Sequence, residues 1–265
     1  MRSKSVLQGK IFDSIIDLHI WRKKFNNLHL GLGFDEYKPR EIYHYPEAYA
    51  LWGQGYVKLF ELMKEDEFLD LAQLSAKWLL ENKNPGYNNY SWGLPWTWEQ
   101  WRAPETLSYL STTMFAGELF LPLYDITGFD QYLNVAESIA KWAMEENSGV
   151  RSEKGLMLYF ANFPPLKFPI VNPIAKASGF FARLHSAAQK DDYRITASET
   201  ARYVINTQNP DGSWYYSAKT ARIDNVHTGY TLEGLWEYYN HTLDDSALKS
   251  ALKGTAFCGE NSLPV

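Results

Sequence analysis

The sequence predicts an all-α protein, an α/α toroid of four to five helical hairpins within its 265 residues. Three observations lead to this fold class. A helical pattern recurs at near-regular spacing, each copy follows a second helix-forming segment, and the loops after the copies are rich in aromatic residues. Helical hairpins repeated around an axis would bring these loops to one end of the toroid.

The repeat consists of an aromatic residue followed by alanines four and eight positions later. Its copies begin at Phe68, Tyr132 and Tyr193, which are 64 and 61 residues apart, and a weaker fourth copy begins at Ala247. Residues at these positions lie on one stripe of a helix, and alanines allow another helix to come close. Each copy is therefore predicted to be an amphipathic helix in a similar environment.

Each copy follows a longer apolar segment, which we interpret as its partner in an αα-hairpin. The predicted first helices span 46–64, 108–126, 172–189 and 225–242, and the predicted second helices span 66–82, 129–147, 191–208 and 245–257. A further segment, 5–27, has apolar residues at helical spacing. We predict that it is the remaining helix of an incomplete first unit.

The connecting loops also repeat a feature, since turn-forming residues are followed by aromatic ones. The loops at 84–96 and 209–216 both open with Asn-Pro and continue into tryptophan and tyrosine, and the loop at 155–160 ends in Tyr-Phe. Such side chains fill a core or line a binding groove. The sequence therefore predicts a groove at the end of the toroid where the loops lie.

Composition excludes several classes of function. The 26 Lys+Arg and 31 Asp+Glu give a net charge of −5, so a nucleic-acid partner is not expected. The single cysteine, Cys258, excludes internal disulfides and multi-cysteine zinc sites. No apolar run has the length of a signal peptide or a membrane span. The expectation is one cytoplasmic domain over 1–265, with no membrane insertion.

The densest set of reactive residues lies between Gln208 and Glu233. Asp224 or the following asparagine is predicted to cap a helix whose first turn contains His227, with Tyr230 one turn later. Together with the loop aromatics, these side chains could form the acid/base end of a sugar-binding groove. In the alternative interpretation, the aspartate only caps, the histidine makes a structural hydrogen bond and the tyrosine packs.

A second candidate segment places four tryptophans within the ten residues from Trp92 to Trp101. Indoles stack on pyranose faces and donate hydrogen bonds to hydroxyls, so Trp92, Trp96 and Trp98 are predicted to form a saccharide platform with Glu99 in reach. The alternative is that these indoles fill the centre of the toroid.

Further polar residues precede or begin the predicted first helices. His44, Tyr45 and Glu47 precede the first hairpin and Asn172 opens the third, and helix caps are the simpler explanation for both sets. Arg222 contributes to a possible basic patch beside the groove. No nucleotide-binding or metal-binding motif occurs, so neither a cofactor nor a metal is predicted.

Four segments carry a resemblance to a known group of proteins. They are WGLPWTWEQW, STTMFAGELFLPLYDITGFDQYLNVAESIAKW, NPIAKASGFFARL and QNPDGSWYYSAKTARIDNVHTGYTLEGL. Over roughly residues 45–245, the chain resembles the α/α-toroid polysaccharide-biosynthesis proteins of bacterial exopolysaccharide and capsule clusters. The resemblance implies a toroid of six-hairpin or terpenoid-cyclase type that acts on a glycan from the cytoplasmic side.

The same resemblance implies a set of candidate residues, and this chain differs from the family in one respect. The motif carried over is DGSW-x₉-DN-x-HTG-aromatic, which here contains Asp211, Trp214, Asp224, His227 and Tyr230. The family continues with another hairpin where this chain ends, so the ring is expected to be incomplete. The Gln-x-x-Asp-Gly-Ser-Trp segment is also similar to the QW repeat of squalene–hopene cyclases, but the chain has no Asp-x-Asp-Asp motif.

Two functions remain open from the sequence. The first is an enzyme that acts on an oligosaccharide or polysaccharide, with His227 and Tyr230 for lyase or epimerase chemistry, or Asp224 and Glu99 for hydrolysis. The second is a non-catalytic glycan-binding or assembly subunit of the polysaccharide-synthesis machinery. The residues predicted to bind substrate are Trp92, Trp96, Trp98, Trp214, Tyr216, Asn172 and Arg222.

Overall fold

The computed structural model describes residues 44–261, which lie within the second of two compact units, 1–42 and 43–265. The predicted helix at 5–27 lies outside the described residues. Eight α-helices form four hairpins in the described part of the chain. They are α1 (Pro46–Met63), α2 (Asp66–Glu81), α3 (Leu110–Thr127), α4 (Asp130–Lys141), α5 (Val171–Ala188), α6 (Asp191–Asn206), α7 (Asn225–Thr242) and α8 (Asp245–Glu260).

The predicted helix pairing is confirmed for the described residues, because each of the eight helices predicted between 46 and 257 is present and has the expected partner. The helix predicted over 129–147 consists of α4 followed by a π-helical turn, Trp142–Asn147. The alanines four positions into each copy are buried as the pattern required: Ala72 and Ala136 are 0% exposed, Ala197 is 1% exposed and Ala251 is 8% exposed.

All four first helices end in the same way. Each is followed by a residue with positive φ, at Lys64, Gly128, Gln189 and Leu243, whose N–H donates to a carbonyl four residues earlier. This left-handed C-cap stops the helix and reverses the chain within two residues. The common cap gives the four hairpins one shape, which a repeated assembly requires.

The first helices pack side by side in the order α1, α3, α5, α7, and each second helix packs against the first helix of its own hairpin. The contact between α5 and α7 is the most extensive, because two glycines allow the backbones to meet. A Cβ atom on Gly234 would lie 2.3 Å from the carbonyl carbon of Ala175, and one on Gly179 would lie 2.9 Å from the carbonyl oxygen of Gly234.

Two buried clusters fill the structure. The larger lies among the helices and includes Phe115, Phe120, Phe180 and Phe181. The smaller lies among the loops, where Tyr109, Phe160 and Ile170 pack with the partly buried aromatic residues that follow α2. The loops therefore form a packed layer at one end of the helices.

The loop after α4 differs from the predicted irregular segment. It contains an antiparallel hairpin of β1 (Gly149–Ser152) and β2 (Gly155–Leu158), with Gly149 opposite Leu158. The turn depends on Gly155, which has a φ of 125° and lies so close to α6 that a Cβ atom would be 2.3 Å from the carbonyl oxygen of Glu199. The β1–β2 hairpin therefore packs directly against the backbone of α6.

The comparison of structure and sequence establishes the fold class. The described residues form an α/α toroid of four hairpins, as predicted. Within residues 44–261, no helix is long and apolar enough to cross a bilayer.

The α5–α7 contact predicts opposite effects for two glycine substitutions in α7. Gly234→Ala should lower the free energy of unfolding by about 3 kcal/mol, because its methyl group would collide with the α5 backbone. Gly229→Ala is the matched control, since no heavy atom lies within 4 Å of the added Cβ atom. It should stabilise the helix by up to about 1 kcal/mol. Urea denaturation measures both, and equal effects would contradict this account of the packing.

Candidate functional site

A cleft opens where the N-terminal ends of the four first helices meet. It has an open volume of about 400 Å³. Each of these helices contributes a polar residue from its first turn: Glu47 from α1, Ser111 from α3, Asn172 from α5 and His227 from α7. The apolar lining residues are Phe115, Phe160, Ile170, Pro173, Tyr216 and Tyr230. The predicted groove at the loop end is therefore present.

His227 is held at the cleft by the residue that begins its helix. The Asp224 carboxylate accepts the backbone N–H of His227 at 2.9 Å and lies 2.7 Å from its Nδ1. With the Nδ1 proton donated to this carboxylate, Nε2 is the nitrogen left to accept a proton from a ligand. The arrangement is that of an imidazole oriented by an acidic partner, as used in general-base catalysis.

Asp224 remains ionised in this position. Partial burial acts to raise its pKa, but the backbone and side-chain hydrogen bonds from His227, together with the charge of Arg222, lower the pKa below its usual value. Arg222 contributes through an ion pair of 3.2 Å between its Nε and Oδ2 of Asp224. Asp224 is therefore both the N-cap of α7 and a fixed negative charge behind the imidazole.

Two tyrosines flank the imidazole. The ring of Tyr216 meets that of His227 edge to face, with centroids 4.5 Å apart. Tyr230 packs edge to face on Phe115, and burial raises the pKa of its hydroxyl. Tyr230 therefore stays protonated and can donate a hydrogen bond, whereas it is poorly suited to take a proton.

Glu47 is an acidic group of the cleft that the sequence interpretation assigned to helix capping. It is partly buried, its Oε2 accepts a hydrogen bond of 2.7 Å from the Tyr45 hydroxyl, and burial raises its pKa. The expectation that these residues cap the first helix was wrong, because no side chain caps α1. Its position at the start of a first helix was the signal in the sequence that it lies near the groove.

Asn172 was also expected to be a cap, and it is not one. Ile170 occupies the N-cap position of α5, and no side chain caps that helix. Asn172 lines the cleft, is only 6% exposed, and its buried Oδ1 has no hydrogen-bond partner. A buried carbonyl oxygen without a partner is costly. The side chain is therefore suited to accept a hydrogen bond from a bound hydroxyl, and its predicted role in substrate binding stays a prediction.

The structure corrects the prediction for two tryptophans. Trp92 is 0% exposed and donates its indole N–H to the carbonyl of Leu79 at 3.0 Å. Trp214 is 3% exposed and donates in the same way to Val204 at 2.9 Å, although its edge borders a narrow side pocket that adjoins the cleft. Since both indoles are enclosed and their donors are occupied, neither can stack on a sugar. Both belong to the core.

Trp96, Trp98 and Glu99, the other predicted residues of the tryptophan-rich loop, lie in three different surroundings. Trp96 is 37% exposed and its ring lies 5.8 Å from that of Tyr45, the partner of Glu47. Trp98 packs 6.4 Å from Phe160, a wall of the cleft. Glu99 is exposed on a short 3₁₀ turn and lines neither the cleft nor the side pocket. The structure therefore does not place Glu99 beside His227.

A buried cation lies behind the aromatic wall of the cleft. Lys176 of α5 is 1% exposed and its Nζ lies 2.8 Å from a carboxylate oxygen of both Glu118 and Glu233. It also lies 4.5 Å from the ring centre of Phe115 and 5.4 Å from that of Tyr230. This cluster joins α3, α5 and α7, and sequence reasoning missed it because its three members lie on different helices.

The basic residues of the region are occupied by other contacts. Arg222 pairs with Asp224, and Lys219 lies over the rings of Phe168 and Trp101 at 4.0 and 5.7 Å. Neither a lysine nor an arginine lines the cleft or the side pocket in the described part of the chain. Within residues 44–261, no group of three or more His, Cys, Asp or Glu residues is placed to hold a metal ion.

Comparison with known proteins gives similarity in structure alone. No protein family and no curated protein matches the sequence. Cellobiose 2-epimerase from Bacillus thermoamylovorans B4167 aligns with a TM-score of 0.64 at 16% identity, over 81% of this chain and 60% of that chain. Unsaturated glucuronyl hydrolase from Bacillus sp. GL1 aligns with a TM-score of 0.62 at 16% identity, over 81% and 62%.

A third similar structure is a family 76 glycoside hydrolase from a bovine Bacteroides thetaiotaomicron strain, with a TM-score of 0.61 and 16% identity over 80% of this chain and 46% of that chain. The present chain thus spans less than two thirds of the length of each of these proteins. At this level of identity the similarity establishes the fold alone, which is the α/α toroid that these proteins share.

The buried cluster behind the cleft predicts a pH-dependent loss of stability in Lys176→Met. Burial raises the pKa of Glu118 to about 7 although Lys176 acts in the opposite direction. Without Lys176, ionising Glu118 becomes costlier, so the variant should lose about 3 kcal/mol in alkaline buffer. In mildly acidic buffer the loss should be smaller, because a carboxyl with a raised folded-state pKa costs stability only as pH rises above its unfolded-state pKa.

Chemical denaturation of both proteins across this pH range measures the effect. Lys58→Met is the control, since Lys58 pairs with Glu61 on the surface and is 72% exposed. Its effect should stay within about 0.5 kcal/mol at every pH. A loss in Lys176→Met that does not change with pH would exclude the proposed role of Glu118.

Proposed function

We propose that this protein is an enzyme that moves a proton at a carbon atom of a sugar, with His227 as the proton-accepting base. One observation carries the proposal: Asp224 holds Nδ1 of His227 at 2.7 Å while the imidazole lines the cleft. A fixed, partly buried His–Asp pair in an open cavity is a common arrangement for acid–base catalysis. Tyr230 remains protonated and would donate a hydrogen bond to the oxygen on which negative charge develops.

A sugar is the ligand class that the lining favours. Aromatic walls from Phe115, Phe160 and Tyr216 suit the apolar faces of a pyranose ring, while Ser111 and the unpartnered Oδ1 of Asn172 suit its hydroxyls. Trp96 and Trp98 would extend the aromatic surface beyond the cleft. The fold supports this, because the similar structures include an epimerase and two glycoside hydrolases.

Proton transfer fits the cleft better than hydrolysis does. Glycoside hydrolysis requires two available carboxyl groups on either side of the bond. Among the described residues, Glu47 is the only carboxyl group that lines the cleft, and Asp224 is engaged by His227 and Arg222 with a lowered pKa. Lyase or epimerase chemistry needs instead a base that removes a proton from the carbon beside a carbonyl or carboxyl group, and His227 meets that need.

The cellular setting is part of the proposal. The motif resemblance supports a role in making or modifying a bacterial exopolysaccharide, in the cytoplasm and beside the synthesis machinery. The alternative function is a glycan-binding or assembly subunit, which the exposed ring of Trp96 near the cleft favours. The two functions differ in whether the protein exchanges sugar protons with solvent.

Hydrogen–deuterium exchange at carbon tests the enzyme proposal without knowledge of the product. The protein would be incubated in heavy water with glucose, mannose, glucuronate, galacturonate and cellobiose, and mass spectrometry would detect deuterium that remains after exchangeable positions return to hydrogen. We expect exchange in at least one sugar. In a sugar whose C–H bond faces Nε2 of His227, His227→Gln should reduce the exchange rate at least about 100-fold while the thermal melt is unchanged, because general-base catalysis contributes that much.

Glu105→Gln is the control for this measurement, since Glu105 is exposed and lies outside the cleft and side pocket. Its exchange rate should equal that of the wild type. Sugar binding by titration calorimetry with no exchange in any sugar would reject the enzyme and support the binding subunit.

Asp224→Asn tests whether Asp224 acts through His227. Asparagine also caps helices, and Arg222 is 64% exposed, so loss of the ion pair should cost little stability. The exchange rate should fall about 100-fold because the amide no longer fixes the Nδ1 proton. An unchanged exchange rate would assign Asp224 a capping role alone.

A further inference from the structure

We propose that Glu47 is a second catalytic residue. It donates a proton to the reacting carbon, or removes one, from the face opposite to His227, so that the reaction is an epimerisation. This inference rests on the proposed function. It differs from the sequence prediction, which paired His227 with Tyr230.

Glu47 and His227 line the same cleft from the two ends of the row of first helices. Glu47 lies on α1 and His227 on α7, the first and last helices of the described row. Ser111 of α3 and Asn172 of α5 line the cleft between them. In our proposal, a sugar bound in this cleft has Glu47 on one side and His227 on the other.

We assign Tyr230 a different role from Glu47, although the charge of Glu47 also acts on its hydroxyl. Tyr230 lies on α7, three residues after His227, and residues at that spacing are neighbours on one face of a helix. In our proposal Tyr230 therefore acts from the same helix as the imidazole. Its raised pKa also keeps it in the donor form, which suits contact with an oxygen atom.

The surroundings of Glu47 suit a proton carrier. Its carboxylate accepts a hydrogen bond from Tyr45, which fixes its orientation, and no lysine or arginine forms an ion pair with it in residues 44–261. The charge of Lys176 acts to lower the pKa of Glu47, but Lys176 itself is bound by Glu118 and Glu233. Burial raises the pKa of Glu47, and His227 lies close enough to act on it in the opposite direction.

The proposed step conserves atoms and electrons. Nε2 of His227 takes the proton from the carbon beside a carbonyl or carboxyl group, and the C–H electron pair moves onto that group to form an enolate. Protonated Glu47 then gives its proton to the same carbon from the other side, where the returning electron pair forms the new C–H bond. The carbon is inverted, His227 is left protonated and Glu47 ionised, and exchange with solvent restores both.

The test compares Glu47→Gln with the wild type on both epimers of the sugar that shows exchange. The wild type should interconvert the epimers and introduce deuterium into both. Glu47→Gln should interconvert them at least about 100-fold more slowly. It should still exchange the proton of the epimer whose C–H bond faces His227, because this removal does not need Glu47. His227→Gln should show the opposite preference.

Several outcomes would overturn the assignment. Interconversion by Glu47→Gln at the wild-type rate would remove Glu47 from the reaction, and so would loss of exchange in both epimers by a variant that melts as the wild type does. A wild-type product that is a ketose or an unsaturated sugar would show that inversion is not the reaction. In each of these cases wild-type exchange persists, whereas failure of the proposed function is marked by no exchange at all.

Discussion

The close contact between α5 and α7 is the constraint on which the candidate site depends. Gly179 and Gly234 remove the side chains that would hold the two helices apart. This contact brings the first turns of both helices together, so that Asn172 and His227 line one cavity. A cleft formed by helix ends is sensitive to helix spacing, because a shift of one side-chain diameter would separate these groups.

The charges of the molecule are divided between two layers. The inner layer contains Lys176, Glu118 and Glu233, which join three first helices behind the aromatic wall formed by Phe115 and Tyr230. The outer layer contains the groups that face the cavity. Since the buried lysine is held by its own carboxylates, it influences the cleft through its field and does not bind a ligand directly. Because the two layers are separate, the buried Lys176 cluster lies beside a cleft whose lining, in residues 44–261, includes no lysine or arginine.

The aromatic loops serve both packing and the proposed binding. Trp92 and Trp214 occupy equivalent places in two repeats, because each donates its indole N–H to a carbonyl near the end of the preceding second helix, at Leu79 and Val204. They fasten the loop to its own hairpin. The ring of Tyr216 lines the cleft, and the exposed ring of Trp96 lies beside that of Tyr45. Rigid support of this kind holds the groups around a site in place.

The sequence by itself determined the eight helices between residues 46 and 260, their pairing, and a helix start that holds Asp224 and His227. Helical periodicity is a local property, and a capping aspartate three residues before a histidine forms its contacts within one turn. The tertiary structure decided the rest. Which tryptophans are buried, where Glu99 lies, and how Glu47 and Asn172 meet His227 depend on contacts between hairpins about sixty residues apart in the chain. Interhelical distance sets those contacts, and a local sequence pattern does not specify that distance.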